Sequence, residues 1–548
     1  MAAQLWGWLG QQDDPLEGKV LAEQMLQEML GLEALKSQMP ADFTGSALRP
    51  SRLGGVAQGE LLSRFGNEGF SIDPAVRAAV SLGQSYPDQL ARRSGMVADP
   101  VDAVVSPANS MQANDLLQRA SKFGFCVTPA GGATNVTGGF ASTDQRPRVA
   151  ASLLRMNQLL WVNETDLTAD IEAGIRLPEL EEQLNARGFT MGHFPQSFHG
   201  ATLGGAIAAH GSGQRSAGYG RISDILISAT LATPRGLWTS ERQRHTADGP
   251  WLGGLVTGSE GLFGLIISAT VRIRRLPEMV EDCAWFLPNF EAALVAARQL
   301  AQSDASLTML RVSDAAETRF LGQFRLAMKG RARASALERV ALAMKRAPAN
   351  PVLLLAGFEG GRGRFAEVIF EAGRIIGKAG GVSLGRGPGA SWRKSRYDLP
   401  YLRESLLRRG IGVDTFETVA PWSRLEELKS AVAGAFDRAM TETVSGAQRG
   451  VLMCHLSHSY PEAACLYFTA IFPQSQDAIG QWRRIKAGVS AAIEEGGGAA
   501  SHHHGVGADH VAMARLAKGD IGIDMLRGLK TALDPENLLV SGMSIMLR

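Results

Sequence analysis

Pro129-Ala130-Gly131-Gly132-Ala133-Thr134-Asn135-Val136-Thr137-Gly138-Gly139 is the stretch on which the reading of this chain turns. It follows Phe125 to Thr128, an apolar run of strand length. Glycines lack a β-carbon, so backbone N–H groups can come close to an anion, and a pyrophosphate suits such a loop. The spacing is neither GxGxxG nor a phosphate loop ending in GK[ST]. Taken alone, the stretch reads equally well as a tight turn between strands. Two further clusters add weight. His193 to Tyr219 reads HFPQSFHGATLGGAIAAHGSGQRSAGY; Thr202, Gly204 and Gly205 precede the mostly small residues Ala206 to Ala209, which leave room for a large planar group. Thr257-Gly258-Ser259-Glu260-Gly261-Leu262-Phe263-Gly264-Leu265 then runs into a strand. The three clusters, in this order and spacing, are specific together.

Around these clusters the chain is ordinary in bulk. Its 548 residues imply at least two domains and a large core. A hydrophobic share of 45% and a charged share of 20% fit a globular protein. The formal net charge of +2 gives no global field that would select nucleic acid. Cys126, Cys283, Cys454 and Cys465 have no CxxC spacing and read as buried free thiols. No basic segment followed by an apolar one opens the sequence, and no apolar run approaches the ~20 residues that span a bilayer. Met546-Leu547-Arg548 does not resemble the small-basic-leucine peroxisomal address. A cytoplasmic location is the expectation.

The pattern divides into four parts. Residues 1–95 read as an N-terminal helical extension outside the catalytic core, with Leu21, Met25, Leu26 and Met29 at helical spacing. Residues 96–275 hold the clusters. Strands are expected at Val101 to Val105, Phe125 to Thr128, Leu226 to Thr233 and Leu265 to Ile273, and a helix carries Leu177, Leu180 and Leu184, with Pro178 in its first turn. The fold class is α+β, without regular βαβ alternation. Residues 276–510 read as a second α+β unit, with helices at Phe290 to Ala301, Ala334 to Arg346 and Phe365 to Gly377 and strands at Val352 to Gly357 and Ala464 to Phe472. Its basic stretch from Arg325 to Arg346 is either a solvated helix face or a lipid-headgroup contact. Residues 511–548 form a C-terminal helical segment.

The ordered set PxGGxTxxxGG, PxSxxxxTxGG and GSEGxxG resembles that of flavoproteins with the vanillyl-alcohol oxidase (p-cresol methylhydroxylase, PCMH) type of FAD domain, over residues 96–548. Within that superfamily the chain is similar to the alkylglycerone-phosphate synthases of ether-lipid synthesis. The residues that carry this are Asp170 to Ile175, Tyr219-Gly220 with Asp224, Thr233-Pro234-Arg235-Gly236, Phe416-Glu417-Thr418 with Pro421-Trp422, Ser501-His502-His503-His504-Gly505-Val506-Gly507, and Trp6-Gly7-Trp8. The resemblance implies a PCMH-type FAD-binding domain at 96–275 and a cap domain for substrate at 276–510. It implies noncovalent FAD, with Pro129 to Asn135 around the pyrophosphate. Pro195-Gln196-Ser197-Phe198-His199-Gly200-Ala201 and Ala209-His210-Gly211-Ser212 would line the isoalloxazine and ribityl region. Ser259-Glu260-Gly261-Leu262-Phe263-Gly264-Leu265 would complete the adenine and phosphate side.

Three consecutive imidazoles, His502, His503 and His504, stand in a glycine-rich loop. Adjacent histidines rarely bind one metal ion in good geometry, so no metal is expected; a plain loop or proton transfer beside the flavin are the other readings. The family requires such a triplet for activity, and it places an acid/base tyrosine at Tyr467, which otherwise reads as core. A phenol near pKa 10 is a poor base unless neighbours lower it, and the histidine loop is the concentrated source of neighbours. Arg311 and Arg403 match family arginines for activity and substrate binding. Arg403 suits a substrate phosphate, and an ordinary salt bridge is the alternative for each. Two departures stand out: Cys454-His455-Leu456-Ser457, where the family shows Cys-Arg-Val-Thr, and Ser383 to Arg396, which matches poorly.

The resemblance implies exchange of the acyl chain of acyl-dihydroxyacetone phosphate for a fatty alcohol, with FAD as an electrophilic handle and no net redox change. A small lipid-like phosphorylated substrate, a homodimer and a peripheral membrane contact are the partner expectations. The rival enzyme reading is an FAD-dependent 2-hydroxyacid (D-lactate type) dehydrogenase. Such enzymes carry HxGDGNxH and Glu-His-Gly, where this chain has His455 to Tyr460 and His503-His504-Gly505. A flavin-holding interaction protein is the non-enzyme rival; Tyr467, Arg311, Arg403 and the triplet argue against it.

Overall fold

The computed structural model describes residues 5–10, 13–45, 48–331, 348 and 350–548. The first glycine cluster hangs from a small sheet in which Ala103–Val105, Arg148–Ser152 and Cys126–Ala130 run parallel, with Phe70–Ser71 antiparallel at the edge. The parallel strands are buried almost throughout, as both faces of such a sheet must be. Helix Ser110–Phe123 supplies part of the cover through Ala113, Leu116, Leu117 and Ala120; Asn109 caps its start and left-handed Gly124 ends it. At the free edge the backbone of Val127 bonds to Leu538 and Val540, so the C-terminal segment continues this sheet.

A second, antiparallel sheet follows in the order Leu159–Asn163, Thr168–Glu172, Leu265–Arg272, Leu226–Thr233, Gly236–Thr239. The third has seven strands: Val382–Gly385, Met279–Leu287, Val352–Gly360, Leu307–Ser313, Val451–Ser459, Ala463–Pro473 and Ile411–Pro421. Helices Phe290–Ala301, Arg362–Lys378, Leu425–Thr443 and Ala478–Glu495 cover one face of it and enclose the largest apolar core. Along Ala463–Pro473, Leu466, Phe468, Ala470 and Phe472 enter that core, while Tyr467, Thr469 and Ile471 line a cavity on the opposite face. This is the period-two alternation of a strand covered differently on its two sides.

The expected strands and helices are present with shifts at their ends, for example Ala103–Val105 and Cys126–Ala130. The helix expected at Ala334 to Arg346 lies outside the described residues, as does most of the basic stretch from Arg325. The N-terminal region is less separate than its composition suggests. Helix Val20–Leu30 buries Ala22, Leu26 and Leu30 against Phe320, Leu402, Ile411 and Met453 of the cap unit. Leu21, Met25 and Met29 flank that stripe. Trp8 reaches the cavity itself. The four cysteines are buried and unpaired.

A buried ionic knot joins the flavin segment to the seven-stranded sheet. Arg215 donates to both oxygens of Asp282 (3.0 and 3.1 Å), to Thr308 Oγ1 (2.9 Å), and pairs with Glu359 (2.9 Å). The Tyr219 hydroxyl donates to Glu359, and Arg393 pairs with Asp282. Removing the central cation leaves carboxylates with too few partners away from water, which costs about 3–5 kcal/mol. Arg215→Leu is therefore expected to lower the unfolding free energy by that amount and with it the midpoints in heat and in urea; parental midpoints would show that the knot contributes nothing.

Candidate active site

The three glycine clusters meet in one wall of a cavity of about 430 Å³. A β-carbon on Gly132 would stand 1.8 Å from the carbonyl oxygen of Gly200, and one on Gly261, whose φ is +82°, 2.5 Å from Pro129 Cγ. The glycines thus serve loop-to-loop packing as well as approach to an anion: the side chain missing at Gly132 would strike Gly200, not the ligand. Pro129, Ala130, Gly131, Gly132, Ala133, Thr134 and Asn135 all line the cavity, as do Pro195, Gln196, Ser197, Ala201, Ala209, Gly211, Ser212, Glu260, Gly261 and Gly264.

Others expected there stand behind it. Phe198 stacks on Tyr397 at 5.1 Å, and His199 Nδ1 lies 3.2 Å from the Tyr401 hydroxyl. The Gly200 carbonyl accepts from Arg176, and His210 takes a left-handed turn (φ 53°) outside the lining. Leu262, Phe263 and Leu265 belong to apolar cores, and Ser259 is buried under the loop. Glu260 lines the cavity but spends its carboxylate on protein: it accepts from the N–H of Val506 (2.5 Å) and of Gly507 (2.9 Å).

The wall also offers unmet polar groups. His193 is fully buried, lines the cavity, and has no partner at either ring nitrogen among the described residues. Burial pushes its pKa down to about 4, so the neutral ring offers one donor and one acceptor. An unmet buried polar group is rare in a native fold and fits a bound cofactor better than an empty core. With glycine-built loops for a pyrophosphate, these residues fit FAD. Sequence reasoning gave His193 no role, although it opens the second cluster.

The opposite wall comes from the seven-stranded sheet. Tyr467 lies directly across the ladder from His455 on one side and Glu417 on the other, so the three side chains leave one face in a row. His455 stacks on Tyr467 at 4.8 Å. The histidine loop folds over Glu417. Its carboxylate accepts from Ser501 Oγ (2.7 Å) and from the N–H groups of His502 (2.8 Å), His503 (3.0 Å) and His504 (3.0 Å). Burial pushes this carboxyl up, yet the Ser501 hydroxyl and the convergent backbone N–H donors outweigh it and hold the group ionised, well below the usual carboxylate range. Glu417 appeared in the sequence only as part of a resembling segment.

The triplet divides. His503 and His504 line the cavity, with rings 5.9 and 5.4 Å from that of Tyr467. His502 does not; its Nε2 bonds the Tyr460 hydroxyl (2.7 Å), its Nδ1 lies 3.0 Å from His503 Nδ1, and burial pushes its pKa down to about 3. It positions its neighbour. Glu417, Cys465, His502 and His503 come within 4.8 Å of one another, close enough for one cation. The carboxylate is already filled by N–H and O–H donors, which repel a cation.

Burial also pushes Tyr467 up to about 12, against the pull of a Thr415 hydrogen bond and of Arg403. The expectation that the histidines would lower it fails for a physical reason: burial drives His503 and His504 down too, so they carry no charge with which to do so. In the resting site the phenol is protonated and the imidazoles are neutral.

The two arginines part ways. Arg311 pairs with Glu317 (3.0 Å), which also holds His455 Nδ1 (2.9 Å). Burial lowers the pKa of His455, so the imidazole that stands where the family has arginine is neutral. Arg403 lines the cavity, donates to the Gln84 carbonyl (2.5 Å), and has no ion-pair partner among the described residues.

Neutral buried histidines tie stability to pH. His193, His210, His455, His458, His502, His503, His504 and His510 all have pKa values below the usual 6.5. Between pH ~6.5 and ~5 the unfolded chain takes up protons on these rings that the folded chain refuses, so stability falls as pH falls. Glu260 and Asp509, pushed up by burial to about 7 and about 6, and Asp88, Glu181, Asp314 and Asp398, which burial also pushes up, act in the opposite sense but are outnumbered. The thermal midpoint is expected to drop from pH 7 to pH 5; a flat profile would mean that these rings are not held neutral.

Known proteins match this architecture. The FAD binding domain family covers residues 101–240, and the C-terminal domain of FAD linked oxidases covers residues 276–543. An alkyldihydroxyacetonephosphate synthase of Trypanosoma brucei brucei is 31% identical over 493 residues, spanning 88% of this chain and 79% of the relative. A probable mitochondrial D-lactate dehydrogenase of Danio rerio is 23% identical, over 87% of this chain and 89% of its own. A solved alkyldihydroxyacetonephosphate synthase structure superposes with a TM-score of 0.79 at 28% identity, over 92% of this chain and 87% of that one. p-Cresol methylhydroxylase shares the fold, with a TM-score of 0.68 at 14% identity over 90% and 98% of the two chains. The fold is thus a PCMH-type FAD-binding domain with an α+β cap, FAD is the cofactor, and the chain belongs to the alkyldihydroxyacetonephosphate synthase family of FAD-binding enzymes.

Proposed function

We propose that the protein replaces the acyl chain of acyl-dihydroxyacetone phosphate with a fatty alcohol, releasing a fatty acid. The observation that carries the reading is the state of Arg403: a guanidinium on the cavity wall, without a carboxylate partner among the described residues. A half-buried cation left in that state matches an anionic substrate group, and its fork matches a phosphate. Beside it the cavity turns apolar along Phe320, Leu402, Leu406, Val413, Met453 and Ile471, as an aliphatic chain requires.

FAD, when bound against the glycine loops, would supply an electrophilic centre for an exchange with no net redox change. His503 and His504, being neutral, are the proton acceptors beside Tyr467, and Tyr467, being protonated, is the donor. Arg311, tied to Glu317, keeps a fixed positive charge at the end of the His455–Tyr467–Glu417 row. Hydroxyacid oxidation is the weaker reading, because the segment His455 to Tyr460 lacks the GDGN motif of that class.

Incubation with acyl-dihydroxyacetone phosphate and labelled fatty alcohol should yield labelled ether product and one free fatty acid per ether formed. Dye reduction by D-lactate without ether product would overturn the reading. Arg403→Lys keeps a charge but loses the fork; KM for the phosphorylated substrate should rise about 10- to 100-fold with the flavin spectrum unchanged. Unaltered KM would remove Arg403 from the phosphate. Tyr467→Phe should lower turnover roughly 10²–10⁴-fold while FAD is retained. Near-parental turnover would make Tyr467 a packing residue.

A further inference from the structure

The flavin-binding segment grips the histidine loop at three points. From the first glycine cluster, the Thr137 carbonyl accepts from the N–H of Ala508 (2.9 Å) and Asp509 (3.2 Å). Just past the second, Arg221 donates to the His502 carbonyl (2.5 Å). From the third, Glu260 takes the N–H groups of Val506 and Gly507. The loop is shaped to receive these groups. A β-carbon on Gly505 would stand 2.7 Å from Glu260 Oε1, and one on Gly507 would stand 1.9 Å from the Thr137 carbonyl oxygen.

Glu260 is the unusual member of the three. Its backbone is left-handed (φ 45°), a conformation that is costly for a residue with a side chain and that persists where the surroundings enforce it. The turn aims the carboxylate out of its own cluster and at the loop. It lines the same cavity as His503 and His504, and its two acceptor oxygens fix the backbone two and three residues beyond His504.

We infer that Glu260 is a positioning residue for the reaction proposed above: it holds His503 and His504 at their working distance from Tyr467 by clasping the backbone that follows them. The inference rests on that reading for its kinetic consequence, though not for its structural one. Through this clasp the flavin-binding loop and the proton-transfer loop share one hydrogen-bonded unit.

The test compares FAD-loaded parent, Glu260→Gln and Glu260→Ala. The expected result is a kcat about 10- to 100-fold lower in Glu260→Ala with KM within about 2-fold, and an intermediate kcat in Glu260→Gln, which keeps one acceptor. The visible flavin spectrum and FAD content should stay parental. Hydrogen–deuterium exchange of the peptide covering residues 501–510 should be faster in both variants. Should Glu260→Ala fail to fold, Glu260→Gln alone decides. Parental kcat and parental exchange would overturn the inference, as would loss of FAD with normal turnover in the fraction still loaded. If the parent itself forms no ether product, the functional reading has failed. The exchange measurement then still decides whether Glu260 orders the loop.

Discussion

Glu417 carries its charge where water does not reach, and much of the site follows from that. An ionised carboxylate withdrawn from water costs several kcal/mol unless donors replace its hydration. Ser501 and three successive backbone N–H groups do so. For consecutive N–H groups to converge on one anion the backbone must curl around it, and a curled backbone sends successive side chains in different directions. That is why the triplet divides, with His502 turned to Tyr460 and His503 and His504 turned to the cavity. The partition of roles among three identical residues is set by an acid on another strand.

The same burial decides every protonation state nearby. A charged imidazole and a charged phenolate are both penalised away from water, so the histidines are neutral and Tyr467 keeps its proton. His455 therefore brings no charge to this wall. Arg311 remains the cation there, and Glu317 fixes it in place. Arg403 is left as the cavity guanidinium without an ion pair among the described residues, which concentrates anion recognition on one side chain.

The parts of this site written in local pattern were legible from the sequence. The glycine clusters announce loops, and the apolar run from Ala464 to Phe472 announces a strand. Which face Tyr467 occupies is not local: helices covering Leu466 and Phe468 decide it, and they lie elsewhere in the chain. The same limit hid His193, Glu417 and the aim of Glu260, since each acquires its role from a partner distant in sequence. The pKa of Tyr467 was misjudged because proximity to histidines says nothing of their charge, which burial controls. The seven residues Ser259 to Leu265 divide for a similar reason. A loop that skirts a cavity turns alternate groups towards it and into the core behind, and only packing says which.

The cavity wall includes Trp8 and Ser541, drawn from near opposite ends of the sequence. A growing chain makes the three glycine clusters before the histidine loop and Ser541. Contacts of such sequence separation are the slowest to form, because the intervening chain must first be brought together. The flavin loops therefore precede the wall that faces them, and the chamber is complete only once the strands bearing Tyr467, the histidine loop and Ser541 have been added.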